Sequence, residues 1–154
     1  MNNEDKQAWC DHGEKEEKKF LEEKKVSGWD ISLNPQKAHN KYAHDFVSVC
    51  PVDLKTMTTP FRLSEDLYGI PSSRAVTINK KDFERYAKLY PNIIILCNVV
   101  HANKMFTITV SRARKLISEK KARLHKYKNR KNDDKGNARC SYVFDTNDLD
   151  EVYG

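Results

Sequence analysis

The chain reads as a mixed α/β (α+β) domain, with a mixed central β-sheet flanked by helices. Three observations predict this. Apolar and polar residues alternate in several short runs, the pattern of half-buried strands. Two other segments, 80–90 and 111–127, carry their apolar residues at helical spacing. Between them Ile93 to Val100 is an unbroken apolar run bounded by Pro91 and polar residues, which suits a central strand buried on both faces. At 154 residues the chain is long enough for one cored domain over 1–154, with 1–13 a looser N-terminal segment and 112–140 a basic helix and loop.

Residues 3–26 form a charged helix with a sparse stripe of Ala8, Trp9, Phe20, Leu21 and Val26, interrupted at Gly13 and stopped at Gly28. Most of its glutamates suit exposed i,i+4 pairs with lysine. Glu17, one turn before Phe20 and Leu21, borders the buried stripe instead. The run 29–34 alternates, with Trp29, Ile31 and Leu33 inward, and ends at Asn34-Pro35. A polar loop over 36–44 carries Lys37, His39, Lys41 and His44.

Residues 45–55 read as two short strands joined at Pro51, with Val47 and Val49 on the apolar face of one and Val52 and Leu54 on that of the other. A short turn or helix over 64–72 closes at Gly69 and Pro71, and 74–78 is a strand. Asn79 caps the helix 80–90, with Asp82 three residues on and Phe83, Tyr86, Ala87 and Tyr90 facing the core. After the apolar strand comes another at 105–110. Ser111 caps a last helix to about 127, with Leu116, Ile117 and Leu124 on one side and basic residues on the other. A polar loop (128–139), a strand (141–145) and an acidic tail (148–154) follow.

Composition narrows the function. Hydrophobic residues are 38% and charged residues 32%, with a net charge of +6. Residues 112–139 hold twelve Lys or Arg against three acids, so the remainder is net negative and the basic character belongs to one segment. That favours a polyanionic partner. No run of 18 apolar residues exists to span a membrane, and no signal peptide is expected. Four scattered cysteines without a CxxC pair read as reduced thiols in the cytoplasm. Cys10 with His12, and Cys97 with His101, lack the second pair a zinc site needs. There is no Gly-rich phosphate loop, GxSxG or HExxH.

One constellation carries chemistry. Asp53 and Lys55 are two apart on a strand, so they project from one face. Asp45 is expected on the neighbouring strand and Glu17 on the helix before it. Hydrolysing a phosphodiester needs an activated water and neutralisation of an anionic transition state. Carboxylates holding Mg2+ or Mn2+ beside a lysine meet both needs. The Leu54 carbonyl, between Asp53 and Lys55, is a further candidate ligand. The alternative is two exposed acids and a solvated lysine.

The set His44-Asp45, Asp53-Leu54-Lys55, with an acidic helix before it and an α-β-β-β-α-β order around it, resembles the PD-(D/E)xK nuclease superfamily over residues 14–100. The resemblance implies a restriction-endonuclease-like core and Mg2+-dependent DNA endonuclease activity. It places metal binding on Asp45 and Asp53, catalysis on Lys55 and a completing carboxylate on Glu17. His44 stands where the family usually has Pro. The compact Lys-rich chain and the residues Tyr127, Arg130, Gly136-Asn-Ala and Ser141-Tyr suggest a small phage or mobile-element type, acting in a host cytoplasm.

For nucleic-acid backbone contacts the candidates are Lys120, Lys121, Arg123, Lys126, Lys128, Arg130 and Lys131. Tyr127 and Tyr142 suit either base stacking or packing. The competing reading is a non-catalytic nucleic-acid-binding accessory protein of replication or recombination on the same fold. A homodimer is what cutting both strands calls for, and no interface signature marks one.

Overall fold

A computed structural model describes residues 3–23, 30–40, 42–128 and 139–152. The element order is α1 (Asn3–Glu23), β1 (Asp30–Leu33), β2 (Phe46–Val49), β3 (Val52–Met57), α2 (Leu63–Tyr68), β4 (Ala75–Asn79), α3 (Lys80–Leu89), β5 (Ile94–Val99), β6 (Lys104–Thr109), α4 (Val110–Ser118), β7 (Arg123–Lys126), β8 (Cys140–Asp145) and β9 (Asp150–Glu151). This is the mixed α+β class the alternating runs predict. The chain divides into two compact units, Met1–Cys50 and Pro51–Gly154.

In the first unit α1 runs unbroken through Gly13, where an interruption was expected. The side chains of Ala8 and Trp9, and all of Val26, Gly28 and Trp29, lie outside the described residues. β1 and β2 pair antiparallel, Ile31 with Ser48 and Leu33 with Phe46. Leu33 is exposed rather than inward. Phe20 of α1 packs on Phe46, ring centroids 5.5 Å apart. Buried Asn34 fixes the turn that follows: its side chain accepts from the Gln36 N–H and donates to the His44 carbonyl, and its N–H donates to the Asp45 carbonyl.

In the second unit the four-stranded sheet runs β3-β5-β6-β9 and a three-stranded sheet runs β4-β8-β7. β3 and β5 are parallel, joined through α2, β4 and α3, and the other pairs are antiparallel. The main core cluster includes Ile95, Cys97 and Val99 of β5, Phe106 and Ile108 of β6, Val76 and Ile78 of β4, Phe144 of β8, Phe83 and Tyr86 of α3, and Val110, Ala113 and Leu116 of α4, and a smaller one holds Ile70, Ala75 and Val143.

Four expectations are corrected here. The strands at 45–55 take their pairing partners elsewhere: among the described residues β2 pairs with β1, and β3 pairs with β5. β3 is also turned over. Val52 and Leu54 are 58% and 57% exposed, while Asp53, Lys55 and Met57 are the better-buried face. Alternation alone marks a two-faced strand; here the sheet's partners bury the charged face. β5 is fully buried on the face of Ile95, Cys97 and Val99 and only half-buried on the other. Likewise Tyr90 falls past the end of α3 and is exposed.

The predicted 111–127 helix is half that length. Thr109, not Ser111, caps it by accepting from the Arg112 N–H. It stops where Lys120 takes a left-handed φ of 60° and the N–H groups of Lys120 and Lys121 donate back to Ile117 and Leu116. The chain then turns into β7, with His125 buried, because β8 offers a pairing edge from Val143 to Cys140.

Candidate active site

Asp53 and Lys55 stand on the edge strand β3, on one face as their spacing requires. Lys55 Nζ lies 3.0 Å from Asp53 Oδ2 and 2.8 Å from Asp82 Oδ2. Asp82 reaches it from the first turn of α3, which Asn79 starts by accepting from the Lys81 N–H at 3.0 Å. The other Asp82 oxygen accepts from Arg85 at 2.9 Å. Tyr86, one turn on, sets its ring 5.7 Å from the Lys55 ammonium. Cys97 of β5 is Lys55's register partner, and its thiol is pushed up to about 12 by burial.

Burial alone would lower the Lys55 pKa. Donation to Asp82 and the Asp53 carboxylate beside it outweigh this and hold the ammonium well above the ordinary lysine range. Held between two carboxylates, Lys55 is suited to neutralising charge and orienting a phosphate or water. Asp53 Oδ2 is shut off from solvent and, despite the ion pair, accepts no hydrogen bond among the described residues. The Tyr86 hydroxyl is raised by burial first and then by Asp53.

Glu17 and Asp45 are brought together in the first unit. Lys37 Nζ lies 2.6 Å from Glu17 Oε1 and contacts Asp45 Oδ1. These bonds, Asp45's first, raise the Lys37 pKa. Asp45 precedes β2 in a bend instead of standing on that strand. Among the described residues no three His, Cys, Asp or Glu side chains gather as a metal cluster. Leu54 stands between Asp53 and Lys55 with its side chain outward.

Asp82 and Tyr86 are the site residues that sequence reading missed. Asp82 looked like a helix-start acid and Tyr86 like core, and both are that as well. Lys55 and Asp82 are 27 residues apart, so only the β3-to-β5 crossover brings them together. Of the basic candidates, Lys120 and Lys121 occupy the turn after α4, Arg123 and Lys126 are exposed on β7, and Lys128 is exposed just beyond it. Arg130 and Lys131 lie outside the described residues. Tyr142 is half-buried and packs edge-on against Phe83, the packing alternative. Cys97 is a free thiol, as are Cys50 and Cys140.

No protein-family model and no curated protein matches the chain. Among solved structures it is similar to D212, a nuclease from a fusselovirus, with 14% identity and a TM-score of 0.44 over 80% of this chain and 71% of that one. A likeness at that level assigns neither a family nor an activity.

Proposed function

We propose that the chain is a Mg2+- or Mn2+-dependent DNA endonuclease of the PD-(D/E)xK type, with its chemistry centred on Asp53 and Lys55. The observation that carries the reading is geometric: Asp53 and Lys55 share one face of β3 with their charged atoms 3.0 Å apart, and Asp82 Oδ2 lies 2.8 Å from the same ammonium. The residues fit a hard divalent cation: Mg2+ is commonly held by one or two carboxylates, with waters and substrate phosphate completing its shell. Asp53 would hold it, with the Leu54 carbonyl as a further ligand. When bound, the ion would supply Lewis-acid polarisation and a more acidic water. Lys55 stabilises charge on the phosphate. Asp82 is a positioning residue that aims the Lys55 ammonium from α3. Asp45 and Glu17 are proposed as acidic participants, each tested by its own alanine variant.

The test is plasmid cleavage in Mg2+ or Mn2+, with duplex binding followed in parallel by fluorescence anisotropy. D53N and K55A should each slow cleavage by about 100-fold or more, the size of losing one electrostatic group, with duplex affinity little changed. If the purified protein binds DNA and neither ion supports cutting, the endonuclease reading fails and the non-catalytic accessory reading replaces it.

A further inference from the structure

A groove of about 630 Å³ lies between α2 and β7, on elements other than those carrying Asp53, Lys55 and Asp82. Leu63 and Leu67 are four apart on α2, so they share a face, and they are 53% and 55% exposed. Leu124 of β7 adds a third apolar surface at 40%. The wall is held by a satisfied polar joint: the Tyr68 hydroxyl lies 2.8 Å from His125 Nδ1. Tyr127 lines the groove and braces against His125 edge to face at 4.6 Å. Lys126 and Lys128 complete the lining, and no carboxylate is among the described residues that form it.

Exposed leucines, an aromatic ring and lysines without an acid make a surface for flat apolar rings joined by anions. In a duplex the base faces are stacked and out of reach. In a single strand they are available, and the strand's own charge complements the lysines. We propose that this groove docks an unpaired stretch of nucleic acid, its bases on the Leu63, Leu67 and Tyr127 wall and its phosphates on Lys126 and Lys128. The inference rests on the reading that this chain's partner is nucleic acid, and it adds that the partner carries a single-stranded segment.

The test uses the full chain without divalent metal and measures anisotropy of fluorescein-labelled oligo-dT, oligo-rU and a hairpin duplex. Leu67 is more than half exposed, so L67D should fold; circular dichroism checks it. L67D should weaken single-strand binding by about tenfold, by removing apolar contact and setting a carboxylate beside the phosphate path, while duplex binding moves less than about twofold. As a second measurement, L67W places an indole on the wall, and its fluorescence should be quenched by oligo-dT. Tighter binding of dT over rU assigns DNA as the source of the strand, and the reverse assigns RNA; either supports the groove. The proposal is overturned if L67D leaves single-strand affinity unchanged and L67W is not quenched, the result expected if the groove takes a protein segment, or if L67D weakens duplex and single strand equally. Cleavage does not enter this test. A chain that binds single strands through Leu67 yet never cuts loses the endonuclease reading and keeps this one.

Discussion

His125 shows how one residue ties packing to pH. It is buried among Phe61, Tyr68 and Tyr127, and burial holds its pKa below the ordinary 6.5. The unfolded chain therefore takes up a proton first as pH falls, which favours unfolding. The contribution is whole above pH 6.5 and is lost as pH drops from there through the depressed folded value. Melting temperature should fall across that window, and H125Q should flatten the slope; an unchanged slope would show that His125 does not carry it. Asp53 and Lys55 were legible because strand periodicity places i and i+2 together whatever the strand pairs with. Asp82 was not, since no local pattern distinguishes a helix-start acid that faces solvent from one that grips a lysine on another element.

At the scale of elements, the strand runs and the helix at 80–90 were readable, and which face each buries was not. β3 is the instructive case. Its alternation is plain, but the inward face is the one holding Asp53 and Lys55, because β5 and α3 cover it with partners that charge can use. The basic segment failed for a different reason. Helical spacing of Leu116, Ile117 and Leu124 continues through a turn that only Lys120's left-handed backbone reveals. Within α3 the Asn79 cap decides where Asp82 sits. N79A should cost about 1 kcal/mol of stability by chemical denaturation. It should also reduce cleavage more than the loss of folded protein explains, because the helix start fixes the Lys55 partner; a purely proportional loss would remove Asp82's positioning role.

For the molecule as a whole, the uneven charge is the most consequential property. Single-strand binding carried by phosphate contacts weakens with salt by a power near 0.7 per contact. K126E/K128E should therefore flatten the slope of log affinity against log salt for single strands by about 1.4, while D53N should leave it unchanged. A slope unaffected by the lysine pair would move the phosphate path elsewhere on the basic segment. That the positive charge clusters after Arg112 could be counted in the sequence, whereas its division between a turn, a strand edge and the residue beyond depends on β8 pairing. The reversed edge strand has one more consequence, for colloidal behaviour. Val52 and Leu54 show apolar surface at a sheet margin where a stray strand from another molecule could add, and the inward charges of Asp53 and Lys55 make that addition costly. Neutralising the pair proposed for phosphodiester chemistry should therefore also raise clumping through that margin.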